Sequence, residues 1–304
     1  MISLIRFFRK EEHLNEFLGG RLYMNSIGHF WKFGQPNPED DLFEGVFESV
    51  EASDLDRKYG TDLSGSFGSH ILFPVMNRLA GFQYVHILCF YMNEYDPELK
   101  LVTKIPASIK GFGKYAIRIR DVQSFVDILF DKIRNEGLYG LMGPITYRHP
   151  NKEIGYMDCF DKNITHMDEH EWRFALIPDF EKAKKEAAKL RRANTEKAQE
   201  IMPFVYDQHI YFEVGDLRKL AEVVDADVLI SNPEQTYGSG YKKVDGLPYK
   251  REERMKRLED YHKMGLPIPY QAYPEQYVGW SPREAFRNKV MEIDDGVKPF
   301  IMIG

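Results

Sequence analysis

The sequence predicts an α+β domain, and three observations predict it. Several short segments alternate apolar and polar residues with the period of a strand, others repeat every three to four residues like a helix, and no internal repeat runs through the chain. With 304 residues, 43% of them hydrophobic, the chain is long enough to bury a substantial core.

Residues 3–9 read as a first strand. A short helix follows from about Lys10, with Leu14, Phe17 and Leu18 as its apolar set, and Gly19-Gly20 stops it. A second strand runs through Leu22, Met24 and Ser26. The next stretch reads as a loop holding Phe30-Trp31 and the acidic Glu39-Asp40-Asp41, and residues 48–68 read as irregular from their Asp, Ser and Gly content. Residues 84–92 are apolar enough for a buried strand, and 114–120 alternate cleanly. Asp121 caps a helix whose Val122, Phe125, Ile128, Leu129 and Ile133 recur with a 3.6-residue period. Further strands are expected near 138–147, 169–177, 208–214 and 226–231. Pro178-Asp179 opens a long helix to about Ile201, apolar only along Phe180, Ala183, Ala187 and Leu190. Gly215-Asp216 precede a short helix through Leu217, Leu220 and Val224. Beyond Asn232 Pro, Gly and Tyr become frequent. A charged helix is expected at 249–264, and a last one starts at Ser281-Pro282 with Glu284 at capping-box spacing. The division is a domain over 1–232 and a C-terminal extension over 233–304 that packs on it.

A net charge of −6 argues against blanket nucleic-acid binding, so any such contact must come from local basic patches. Two cysteines make no disulfide framework and fit a reduced, cytoplasmic setting. No apolar run approaches the roughly 18 residues of a membrane helix. The nine histidines show no metal-ligand spacing, so no metal site is expected, and no Gly-x-Gly-x-x-Gly or phosphate-loop pattern occurs.

The stretch Asp168-Glu169-His170-Glu171-Trp172-Arg173-Phe174-Ala175-Leu176 carries the strongest chemical signal. As a strand it places Glu169, Glu171 and Arg173 on one side and His170, Trp172 and Phe174 on the other. Two carboxylates side by side on a rigid element raise each other's cost of ionisation, and the Arg offsets part of that cost. Spacing alone fits a solvated strand face equally well.

The flanking motifs add context. Tyr147 and then Phe160-Asp161-Lys162 precede the Glu-x-Glu-Trp-Arg segment. Upstream come Arg21-Leu22-Tyr23-Met24-Asn25-Ser26, an aromatic pair, the acidic turn Asp40-Asp41-Leu42-Phe43-Glu44-Gly45, and His86-Ile87-Leu88-Cys89-Phe90-Tyr91. Over residues 4–230 this resembles an uncharacterised domain family of bacteria and phages, with Leu42 where that family has Pro and Tyr91 where it has Ser. The order of motifs is similar to the ADP-ribosyltransferase superfamily: a basic or His residue on the first strand, a hydroxyl or aromatic motif on a middle strand, and Glu-x-Glu on a late one.

The resemblance implies a split mixed sheet with flanking helices, NAD as substrate, and kinship with toxins of antiphage and toxin–antitoxin systems. The acceptor it implies is macromolecular, nucleic acid or protein, and an antitoxin protein is a further expected partner. Breaking the nicotinamide–ribose bond develops an oxocarbenium-like cation. Glu171 is assigned to stabilise it and hold the 2′-hydroxyl, and Glu169 to orient or deprotonate the acceptor. Arg6 is the first-strand candidate for the pyrophosphate. Tyr23, Tyr147 and Phe160 are candidates to stack on nicotinamide or adenine, and Asn25 and His86 complete the expected NAD-binding set. Two other classes stay open: a Mg²⁺-dependent nuclease using Asp158, Asp161, Asp168, Glu169 and Glu171, and a non-enzymatic interaction protein that keeps the fold. The Lys- and Arg-rich helix at 181–200, with Lys242-Lys243 and the cluster at 250–257, reads either as solvated surface or as an arm for nucleic acid.

Overall fold

The computed structural model describes residues 1–30, 44–59, 65, 75–78, 80–149, 155–196, 206–249, 253, 256, 282–294 and 300–302. In chain order the elements are β1 (Ile2–Phe8), α1 (Glu11–Leu18), β2 (Arg21–Ser26), α2 (Ile27–Phe30), β3 (Val46–Val50), α3 (Ala52–Tyr59), β4 (Val75–Arg78), β5 (His86–Asp96), β6 (Leu101–Thr103), β7 (Tyr115–Ile119) and α4 (Val122–Glu136). There follow β8 (Tyr139–Pro144), β9 (Thr146–Arg148), β10 (Gly155–Tyr156), β11 (Asp161–Asn163), β12 (Glu171–Ile177), α5 (Phe180–Glu196), β13 (His209–Glu213), β14 (Ala221–Asp225), α6 (Ala226–Ser231), α7 (Pro233–Tyr237), β15 (Lys242–Val244), α8 (Pro282–Asp294) and β16 (Phe300–Met302). The fold is α+β, as the periodicities predict.

One large, mostly antiparallel sheet runs β13-β2-β5-β1-β7-β14, with β12 paired to β5 and β8 paired to β12. The long strand β5 organises it. On one edge β12 pairs with β5 from His86 to Tyr91. The other edge is shared: β2 holds it at His86 and Ile87, and β1 holds it from Tyr91 to Glu94. Residues 88–90 of β5 therefore face neither strand across that edge. Beyond Ile5, β1 continues on β7 alone. The sheet is split between β1 and β2.

Strand parity explains the layers. Leu88, Phe90 and Met92 of β5 and Trp172, Phe174 and Leu176 of β12 pack under α1 and α4 in the first core. On the opposite face Ile87 and Ala175 belong to a second core, and Ile5 and Tyr91 to a third. Between those two apolar cores this face turns polar at Cys89, Glu171 and Arg173.

α4 forms where its period predicts and is closed at both ends. The Asp121 carboxylate accepts from Ser124 N–H at 3.0 Å, and Gly137 ends the helix at φ 65°. Asp121→Ala is expected to lower stability by about 1 kcal/mol in a urea titration, and a loss indistinguishable from zero would mean the cap is idle.

Several expected boundaries are corrected. Residues 217–224 are a turn followed by β14, and 226–231 are α6 and not a strand: Asp225 accepts from Val228 N–H at 3.0 Å and starts the helix, while β14 completes its hydrogen bonds on β7. Of residues 48–68, expected to be irregular, 48–50 belong to β3 and 52–59 form α3, because β3 finds distant partners in β4 and β10, and most of 60–68 lies outside the described residues. The strand expected over 138–147 is two, β8 and β9, broken at Ile145, whose N–H bonds Glu171 O at 2.9 Å. α5 runs to Glu196. The continuation of that helix to 201, most of the helix expected at 249–264 and most of the acidic turn at 40–45 lie outside the described residues.

From the C-terminal part, β15 pairs with β6, and α8 buries Phe286, Val290 and Ile293 beside Ala183 and Ala187 of α5. Arg283 of α8 binds Asp158 at 2.7 Å and also Asp161, which Arg148 holds from its other side at 2.6 Å. Among the described residues no helix is long and apolar enough to cross a membrane.

Candidate active site

The split in the sheet opens a cavity of about 710 Å³. His13 and Phe17 of α1 line it from one face, and Lys162, Glu169, Glu171 and Arg173 from the other. Arg6 bridges the gap, donating from Nη1 to the Cys89 carbonyl at 2.6 Å on the open edge of β5.

The centre is a network of buried charges. Glu171 is 4% exposed and Arg173 1%. Arg173 Nε donates to Glu171 Oε1 at 2.6 Å, and Lys162 Nζ donates to Glu171 Oε2 at 3.1 Å. Lys162 also holds Glu169 at 2.6 Å, whose other oxygen meets His166 Nδ1 at 2.8 Å. Arg173 forks onto Glu44, with Nη2 at 3.1 Å, and also reaches the Cys159 carbonyl. With Arg6, among the described residues three cations face three carboxylates, and this pairing is what lets so much charge be buried.

Burial works to push the Glu171 carboxyl up, but Arg173 and Lys162 outweigh it and hold it far below the usual range. Glu169 is also depressed: burial opposes, and His166 and Lys162 prevail. Burial alone would lower Lys162, and the two glutamates instead raise it well above an ordinary lysine. Glu171 is thus a fixed negative charge whose two oxygens are aimed by two donors. A group ionised this firmly is a poor proton shuttle and a good electrostatic anchor.

The expected strand over 169–177 needs one correction. β12 starts at Glu171; Glu169 closes a 3₁₀ turn over Ile164–Glu169, and His170 is left-handed at φ 39°. The turn is fixed by Asn163, which accepts from Thr165 N–H at 3.1 Å, and by Met92 N–H donating to His170 O at 2.8 Å. Glu169 and Glu171 still meet, at Lys162 and not along one strand face.

Of the residues singled out in the sequence, Glu169, Glu171, Arg6, Tyr23 and Asn25 line the cavity together. Tyr147 lies one layer behind, its hydroxyl accepting from Glu171 N–H at 2.8 Å. Phe160 is buried in the second core. His86 is fully buried against Tyr206, its Nδ1 3.2 Å from Tyr84 O, and it does not line the cavity. Sequence reasoning passed over Lys162 and Glu44 as site residues. The available signal for the first was its place directly after Phe160-Asp161 and before the Glu-x-Glu segment.

Four of the five carboxylates proposed as a Mg²⁺ set are divided between two ion networks, Asp158 and Asp161 with Arg283, Glu169 and Glu171 with Lys162. Among the described residues no three His, Cys, Asp or Glu side chains form a group that could hold a metal.

His86 gives a pH prediction. Burial lowers its pKa from 6.5 to about 4. Below pH 6.5 the unfolded chain takes up a proton that the folded chain refuses until about pH 4, so stability falls as pH falls through that window, by on the order of 3 kcal/mol. The depressed Glu169 and Glu171 contribute stability present above about pH 4.5 and lost below it, while Asp161, raised by burial, works in the opposite sense. Denaturant midpoints measured from pH 7 to 4.5 should decline in the wild type and stay flatter in His86→Gln. Equal slopes would refute the assignment.

No family model, no curated protein and no solved structure matches the chain.

Proposed function

We propose that the protein is an NAD-dependent ADP-ribosyltransferase of the toxin or antiphage-defence type, transferring ADP-ribose to a macromolecular acceptor. The observation that carries this reading is the convergence of three motifs, far apart in sequence, on one split in the sheet. Arg6 of β1, Cys89 and Tyr91 of β5, and Glu171 of β12 belong to adjacent strands and line one cavity. A ligand with a pyrophosphate and a ribose fits such a cavity: a guanidinium for the phosphates and an ionised carboxylate for the sugar.

In the proposed reaction the C–N bond between nicotinamide and ribose breaks, its electron pair leaving with nicotinamide. Glu171 stabilises the cation left on the ribose. Glu169, more exposed and set at the end of a turn, orients the acceptor nucleophile and receives its proton. Lys162 binds both carboxylates and fixes their separation.

The test is incubation of the purified protein with NAD labelled in the adenylate moiety, alone and with lysate fractions. Nicotinamide release with label on a macromolecule is the expected result. Absence of both, with the Glu171 variant identical to wild type, would rule the reading out.

A further inference from the structure

The ribbon formed by β2 and β13 has an unusual outer face. Its inner residues Leu22, Met24 and Phe212 are buried in the first core. Outer positions on an edge ribbon are ordinarily polar. Here they bring together Tyr23, His209 and Tyr211, with Tyr211 directly opposite Tyr23 in the register and His209 opposite Asn25. Ring centroids lie 5.1 Å apart for Tyr23–His209 and 5.6 Å for Tyr23–Tyr211, so the three rings form one patch. Tyr23 is 38% exposed and Tyr211 40%. Arg21 lies over the Tyr211 ring at 4.2 Å, and Glu16 and Glu213 hold its guanidinium there.

This patch lines the same cavity as Glu171, across the split from it. The charge around the cavity runs against the rest of the molecule. Among the described residues six basic side chains line it, Arg6, Arg9, Lys10, Arg21, Lys162 and Arg173, against the four carboxylates Glu16, Glu44, Glu169 and Glu171, in a chain whose net charge is −6. An exposed aromatic platform on a sheet beside local positive charge suits an unpaired base and its phosphodiester backbone, because stacking needs one free face of the base and the cations take the phosphates. A base inside a duplex has both faces covered by its stacked neighbours and offers none to such a platform.

We propose that the Tyr23–His209–Tyr211 face binds an unpaired base of single-stranded nucleic acid and presents that strand to the cleft. Its role as acceptor rests on the transferase reading; the binding itself does not. None of the three platform residues belongs to the basic helix or to the C-terminal lysines that the sequence suggested as a nucleic-acid arm.

Anisotropy of fluorescein-labelled strands of about 12 nucleotides, measured without NAD, tests the binding alone. The wild type is expected to prefer the single strand to the matching duplex, and to bind an abasic strand of equal length more weakly. Tyr211→Ala should weaken single-strand binding by about 5- to 150-fold, the range for losing one stacked base. Tyr211→Phe, which keeps the ring, should retain it. Equal affinity of the wild type for abasic and normal strands would overturn the proposal whatever the variants do, since it would leave phosphates as the only contact. A folded Tyr211→Ala that binds as well as wild type would overturn it too. Because no NAD is present, failure here leaves the turnover reading standing, and failure of NAD turnover leaves this binding site standing.

Discussion

Glu171→Gln is expected to slow nicotinamide release from NAD by about 10²–10³-fold, the cost of losing one preorganised electrostatic group at a developing charge. The substitution keeps the shape of the side chain and removes its charge. In the native site that charge is present at every working pH, because Arg173 and Lys162 hold the carboxyl far below its usual range. Both donors already point at its oxygens, so stabilising the ribosyl cation requires little reorganisation. Glu169→Gln should behave differently. If Glu169 serves the acceptor, transfer falls by about 10²–10⁴-fold, the usual range for a general base, while nicotinamide release in the absence of acceptor is reduced far less. Following free nicotinamide and macromolecular label in parallel separates the two roles. Equal loss of both signals in both variants would show that the carboxylates act as one unit and would remove the division of labour between them.

Much of the fold was legible because its signals are local. Asp121 and Gly137 bracket α4 with residues that cap helices for known reasons, and the alternation in β12 correctly sent Trp172 and Phe174 to the core and Glu171 and Arg173 to the other face. Where a segment's fate is decided by distant partners, local reading failed. β3 is a strand because β4 and β10 pair with it, and β14 because β7 does. At the site, Glu171 and its Arg were readable within three residues of chain. Glu44 was not: it meets Arg173 across 129 residues, and nothing local marks it as the partner. Glu169 was read correctly as a companion of Glu171 for the wrong reason, since a turn and a shared lysine bring them together where a strand face had been expected.

Arg173→Ala is expected to cost about 3–5 kcal/mol of stability, the price of leaving buried partners of a broken ion pair uncompensated. Arg173 is 1% exposed and contacts two carboxylates, Glu171 and Glu44, both nearly buried. Removing the guanidinium takes a cation from both carboxylates, leaves Lys162 to hold Glu171, and removes a donor from the Cys159 carbonyl. For a domain whose total stability is about 5–15 kcal/mol, such a loss is a large share. Arg173→Lys should fall between, because a single ammonium cannot reproduce the fork onto Glu44 while also donating to Glu171. Pairing the substitution with Glu44→Gln should recover part of the loss by removing one of the two carboxylates that lose the guanidinium, which makes the two changes non-additive. Urea titrations of the four proteins measure this directly through their midpoints. Arg173→Ala within about 1 kcal/mol of wild type, the range of an exposed pair, would show that the central charges are hydrated. The anchored carboxylate on which the chemistry of Glu171 depends would then be lost as well.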